Sequence, residues 1–229
     1  MDWTRLPLAR ATLDRAAHRR EDPTLLDSSW ASPRTQVLLV RGSELATSGD
    51  GAALELVAPD SVARRAQDAG LVLYLGEDDA GAVLAVVVDE DGAHPAAADR
   101  TWTSLRVCGH VLGDREAGLA TTAGGRGGWR SRHPGCTLCG LPPRPAVRGW
   151  NSEHYPRTDP AVIMAVTDEH DRLLLGHGAL WPERRFSTLA GYVEPGESAE
   201  RAVVREVREE AGIEVVDPVF RGSQPWPFP

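Results

Sequence analysis

Gly191-Tyr192-Val193-Glu194-Pro195-Gly196-Glu197 leads, after a short helical stretch, into Arg205-Glu206-Val207-Arg208-Glu209-Glu210-Ala211-Gly212-Ile213. In pattern form this is G-x5-E-x7-R-E-U-x-E-E-x-G-U, where U is apolar. Ser198–Ala211 reads as a helix, with Ser198 as N-cap and Gly212 at C′. Arg201, three residues after Ser198, leaves the capping box incomplete. Glu206, Glu209 and Glu210 stand at i, i+3 and i+4, so a helix sets all three on one side. Like charges at that spacing repel, and a cation removes the conflict. Hard divalent ions such as Mg²⁺ and Mn²⁺ take carboxylate and phosphate oxygens together. Ala199, Val203, Val207 and Ala211 form a neighbouring apolar stripe that should bury the helix against a sheet. A bare E-x-x-E-E would read as a solvated acidic face. The glycines, Glu197 and Arg205 in register with it favour metal instead.

Working outward, two strands precede the motif, Ala161–Val166 and Arg172–Leu175, joined by a turn at Asp168–Asp171. Phe186–Leu189 is expected as a third, and Ile213–Val216 as a strand after the helix. Upstream, Thr35–Val40, Ala52–Val57, Leu71–Leu75 and Ala82–Val88 are rich in apolar and β-branched residues and bounded by turn signals. They predict a strand-rich first domain, with short helices near Leu13–Ala17 and Ser61–Ala69. Residues 107–152 have another texture. Gly124-Gly125-Arg126-Gly127-Gly128 speaks against a helix, since each interior Gly costs roughly 1 kcal/mol relative to Ala. Several prolines follow. This stretch is expected to be an irregular connector with a C-x-x-C turn at Cys136–Cys139.

The closing segment Ser223-Gln224-Pro225-Trp226-Pro227-Phe228-Pro229 holds two aromatics stiffly between prolines. Rigid aromatics suit stacking on a base or nicotinamide ring. The 229 residues allow one large or two small domains. A formal net charge of −8 argues against a duplex-binding surface. All 25 basic residues are Arg, which fits a GC-rich coding sequence better than any special function. Met1-Asp2-Trp3-Thr4-Arg5 is not followed by a signal-peptide core, and no apolar run is long enough to span a bilayer. With three cysteines, the expectation is a cytoplasmic protein with reduced thiols.

The 191–213 pattern is identified as a Nudix box. With Ser223–Pro229 beyond it and Tyr155-Pro156-Arg157-Thr158-Asp159-Pro160 before it, the chain resembles the NADH pyrophosphatase branch of the Nudix hydrolases. That resemblance implies an α+β fold: a Nudix-type α/β/α sandwich over residues 154–229, incomplete at its C-terminus. A Nudix-like domain over 1–106 would precede it, with a degenerate zinc ribbon inside the connector 107–153. It implies metal-dependent hydrolysis of the pyrophosphate of NAD(H) to NMN(H) and AMP, removal of NAD caps from RNA, and a homodimer. Glu206, Glu209, Glu210, Arg205 and Glu197 form the candidate catalytic set. Of these, Glu206, Glu209 and Glu210, with the Ala190 carbonyl, resemble the metal ligands. Arg205 is expected to orient a box carboxylate, and Glu197 to fix the loop or the metal shell. Tyr192 falls where an aromatic would stack on nicotinamide. Tyr155, Arg106 and Gln224, Pro225, Trp226, Pro227, Phe228 and Pro229 resemble substrate contacts.

Two departures from the family stand out. Cys136 and Cys139 supply only one of the two pairs that a four-ligand zinc site uses. Cys108, His133 and His154 have no spacing that demands a ligand role, so well under one equivalent of zinc is expected. The sequence also stops at Pro229, within the substrate motif. On that ground uncovered apolar surface and feeble NADH hydrolysis are expected. The competing readings are a non-catalytic remnant and a hydrolase of another diphosphate such as ADP-ribose.

Overall fold

The structure is a computed structural model that describes residues 6–62, 71–88, 94–132, 145–146, 149–150 and 158–228. The chain divides into two compact units. Met1–Pro156 together with Gly222–Pro229 forms one, and Arg157–Arg221 the other.

The first unit is built on β1 (Gln36–Arg41), β2 (Glu44–Thr47), β3 (Leu56–Val57), β4 (Leu71–Asp78), β5 (Gly81–Val88) and β6 (Thr101–Ser104). The sheet order is β4-β5-β1-β2-β6, and β3 also pairs with β1. β1 and β5 run parallel, from Gln36 opposite Val83 to Arg41 opposite Val88; β1 is antiparallel to β2 and β3. The continuous apolar run Val37–Val40 is explained by this central place: all four side chains are fully buried. Their alternation feeds two cores. Leu38 and Val40 join Val83, Ala85, Leu119 and Ala123 on one face. Val37 and Leu39 join Leu84, Val86, Leu25 and Trp30 on the other, the last two from α1 (Leu25–Trp30).

The glycine-rich stretch is a correction to the sequence reading. After the short α2 (Leu105–Cys108), residues Asp114–Arg132 form one long helix, α3, not an irregular connector. Close approach explains it. A Cβ on Gly127 would meet Val40 Cγ1 at 2.8 Å, and one on Gly118 would meet Ala11 Cβ at 2.6 Å. Glycine lets this helix lie tight against its neighbours, and packing offsets the lost propensity. The C-x-x-C turn, Cys136 and Cys139, lies outside the described residues, as do His133, His154 and most of the expected 61–69 helix.

In the second unit β9 (Ala161–Met164) and β10 (Leu189–Tyr192) pair antiparallel, and α4 (Ala199–Ala211) packs on them. A separate two-stranded pair, β7 (Pro145–Ala146) with β8 (Gly149–Trp150), belongs to the first unit. The expected third strand therefore starts three residues late and runs into the motif itself. Leu173 makes only an isolated bridge, to Thr167. Ile213–Val216 is not a strand, and Val216 is exposed. A strand exists only where a neighbour completes its ladder, and the local pattern cannot supply one. No helix among the described residues is long and apolar enough to cross a membrane.

Candidate functional site

α4 starts where the sequence places it. Ser198 accepts a hydrogen bond from the Arg201 amide at 3.3 Å, and Gly212 closes the helix with φ +66°, a left-handed value glycine adopts without strain. The buried side chains are Ala202 and Val207, whereas Ala199 and Ala211 of the expected stripe are exposed. The face turned to the sheet thus has Glu206 between Ala202 and Val207. Gly191 makes room for it: a Cβ there would fall 1.9 Å from Glu206 Cδ.

Arg205 is the centre of this site. Nε and Nη2 donate to the two carboxylate oxygens of Glu197, at 3.0 and 2.9 Å. Nη1 donates to Glu206 Oε1 at 2.8 Å and to Glu209 Oε2 at 3.1 Å. Nη2 also donates to the Tyr192 carbonyl at 2.8 Å. These bonds occupy every N–H of the guanidinium, so it positions carboxylates and has no donor left for a substrate. Hydrogen bonding from Arg205 holds the Glu197 carboxyl below its usual range, and the same bonds, Glu197 first, raise the proton affinity of Arg205. Glu197 also closes its own turn, accepting from the Glu194 amide at 3.2 Å. Gly196, at φ +85°, takes the strained position of that turn.

The structure therefore brings Glu197, Arg205, Glu206, Glu209 and the main chain of Tyr192 together. Glu210 is exposed, with no hydrogen bond or ion pair among the described residues. The Tyr192 ring is 69% exposed, and Ala190 stands on β10 opposite Ile163. Sequence reasoning missed the Tyr192 carbonyl as an acceptor and the reason for Gly191. Main-chain acceptors leave no mark in residue identity.

The donor set suits a hard divalent cation: carboxylate oxygens on one helix, beside a strand that offers main-chain carbonyls. Gly191 is a cradle that any Cβ would fill. Among the described residues no group of three or more His, Cys, Asp or Glu side chains is gathered closely enough to hold a metal ion. Glu206 and Glu209 turn to Arg205, so the fit lies in donor chemistry and cradle rather than in a closed cage.

The aromatic segment lies within the first unit. Phe228 packs on the core that holds Leu8, Leu105 and Cys108. The Arg106 guanidinium stands 4.2 Å from the Phe228 ring centre and 6.0 Å from that of Trp226. The two rings meet edge to face at 4.9 Å. Gln224 Oε1 is buried without a partner among the described residues, and Pro227 lies 3.5 Å from where a Gly125 Cβ would be. Pro225 is exposed. Tyr155 and Pro229 lie outside the described residues.

Residues 34–129 match the NADH pyrophosphatase-like rudimentary NUDIX domain, and residues 157–229 match the NUDIX domain. The first match ends inside α3, so the glycine-rich helix is part of the matched domain through residue 129. Among curated relatives, the NAD-capped RNA hydrolase NudC of Mycobacterium bovis (strain BCG / Pasteur 1173P2) is 37% identical over 97% of this chain and 72% of its own length. The protein of that name from Stutzerimonas stutzeri (strain A1501) is 46% identical over 45% of this chain and 40% of its own length. A Schizosaccharomyces pombe NAD-capped RNA hydrolase is 49% identical over 37% of this chain and 23% of its own length. Two domain matches in this order, a relative aligned along nearly the whole chain and an Arg205-centred box place the chain in the NADH pyrophosphatase branch of the Nudix hydrolases.

Proposed function

We propose that the chain hydrolyses the pyrophosphate bond of NAD(H) to NMN(H) and AMP, and that the NAD cap of RNA is a substrate of the same site. The observation that carries this reading is the Arg205 hub, which holds Glu197, Glu206 and Glu209 beside the Gly191 cradle. The substrate class comes from the similar NAD-capped RNA hydrolases.

Glu206, Glu209 and Glu210, with the Ala190 carbonyl, would hold Mg²⁺ or Mn²⁺. Such an ion neutralises charge on the phosphate oxygens and makes a bound water more acidic. Arg205 fixes Glu206 and Glu209, which limits their rotation, and Glu197 fixes Arg205. Water adds to one phosphorus as the bridging P–O bond breaks, so each product keeps one phosphate. Tyr192, exposed on the strand beside the box, is the ring contact proposed for the nicotinamide end; the cationic and aromatic cluster of Arg106, Trp226 and Phe228 belongs to the first unit. Cytoplasmic location, a homodimer and fractional zinc at Cys136–Cys139 belong to the same proposal.

A second reading, nucleotide binding without turnover, draws on the open carboxylate arrangement and the exposure of Glu210. The deciding experiment is NADH hydrolysis by the purified chain with Mg²⁺ or Mn²⁺. Release of NMNH and AMP, abolished by Glu209→Gln and by Glu210→Gln, supports the hydrolase. Nucleotide binding with no metal-dependent product supports the second reading. Zinc at one tightly held equivalent, by elemental analysis, would revise the reading of Cys136–Cys139.

A further inference from the structure

Far along the sequence from the Nudix box, four arginines gather around β4. Asp14 and Glu77 form an antiparallel bridge, with amide-to-carbonyl bonds of 3.1 and 2.8 Å, which ties the segment that follows Asp14 to the edge of β4. Arg15, Arg19 and Arg20 lie on that segment. Arg20 donates through Nε and Nη2 to the Arg15 carbonyl at 3.1 and 2.8 Å. α3 brings Arg126 to the same strand, where its Nη1 donates to the Tyr74 carbonyl at 3.1 Å and where it feels the charges of Arg20 and Arg15. The nearby carboxylates are engaged elsewhere. Glu77 takes Arg19 and the Tyr74 hydroxyl. Asp22 accepts from the Thr24 amide and hydroxyl, and Asp14 from the Ala16 amide. Among the described residues no carboxylate meets Arg15, Arg20 or Arg126.

That arrangement is costly for a folded protein. A partly buried guanidinium whose described bond is to a main-chain carbonyl lacks the counter-charge that burial calls for. Burial, and then the charges of Arg20 and Arg15, pull the Arg126 proton affinity down to about 10, so it stays charged at neutral pH and is repelled by its neighbours. An anion would relieve both terms. Guanidinium forks match the oxygens of a phosphate in pairs, which an ammonium cannot do. Arg15 is exposed, and Arg20 and Arg126 are partly so, which leaves the cluster open to solvent.

We propose that Arg15, Arg20 and Arg126 form a binding site for a phosphate oxyanion. The group comes either from a small free phosphate or from the phosphodiester of a single-stranded RNA. The site is independent of the hydrolytic reading, because it uses none of the box residues.

The test uses the full chain without divalent metal, so that no turnover takes part. Inorganic phosphate is titrated by calorimetry, and an uncapped single-stranded oligoribonucleotide by fluorescence anisotropy. Binding of phosphate alone assigns a small-anion site; binding of the oligonucleotide, with or without phosphate, assigns the phosphodiester. In either case Arg15→Gln/Arg20→Gln should weaken the active probe about tenfold or more. For the oligonucleotide it should also flatten the salt dependence by about 0.7 per lost contact. The double variant should melt no lower than the parent without phosphate, because it removes repulsion. Arg126→Gln should act the same way, with partial rescue by Arg126→Lys; if Arg126→Gln fails to fold, the double variant decides. Failure of both probes to bind the parent, or equal binding by parent and double variant, overturns the proposal.

Discussion

Val37, Leu38, Leu39 and Val40 are fully buried in the first unit, while Met164, Ala202 and Val207 are the buried apolar residues described in the second. In the second unit Ile163, Leu173, Phe186, Val216 and Phe220 are all substantially exposed. The first unit holds its shape by burying both faces of a mixed sheet. The second holds its chemistry through one guanidinium and the groups it gathers. A packed core spreads its stability over many contacts, and each lost volume costs separately. A polar hub differs: removing its centre frees every partner at once.

The largest expected effect breaks the first half of that contrast. Leu38→Ala should cost about 2–5 kcal/mol, read as the denaturant midpoint of the first unit. Ile163→Ala, 54% exposed, should change stability by no more than about 0.5 kcal/mol. Equal costs would show that the second unit has a core comparable to the first.

Next comes the hub. Arg205→Ala should lower kcat/KM for NADH about 10²-fold, because Glu197, Glu206, Glu209 and the Tyr192 loop lose their common donor. Arg205→Lys should not rescue it, since one ammonium cannot reproduce the fork. Melting of the first unit should be unchanged. Near-parental activity in the lysine variant would mean that charge, not geometry, holds the carboxylates.

Gly191→Ala is the finer probe. Its Cβ would overlap Glu206 Cδ, so the carboxylate must leave its cradle. Hydrolysis should fall about tenfold, by misplacement of a single group. Retention of full activity would show that Glu206 works from another rotamer.

The smallest effect is one of pH. The Glu197 carboxyl is held below its ordinary value of 4.5 by Arg205. Its stabilising contribution is therefore present above about pH 4.5 and is lost as pH falls through the lower, folded value. Amide exchange of residues 194–198 should be flat from pH 7 to 5 after correction for intrinsic rates, then rise below 4.5. Glu197→Gln should remove that acid limb. An acid limb that persists in the variant would assign it to another carboxylate.

Sequence alone determined the box, the helix from Ser198 to Gly212, the apolar run that became β1 and the family. These are local: caps, periodicity and fixed spacing are written in neighbouring residues. The tertiary structure decided the rest. Asp114–Arg132 is helical because Val40 and Ala11 lie where its glycine side chains would be, and no local rule sees them. Phe228 packs on the core that holds Leu8 and Leu105, residues far away in the chain. Arg205 reaches Glu197 and the Tyr192 carbonyl because β10 and α4 fold together. Partners of this kind are set by packing between segments, and the pattern within any one segment carries no record of them.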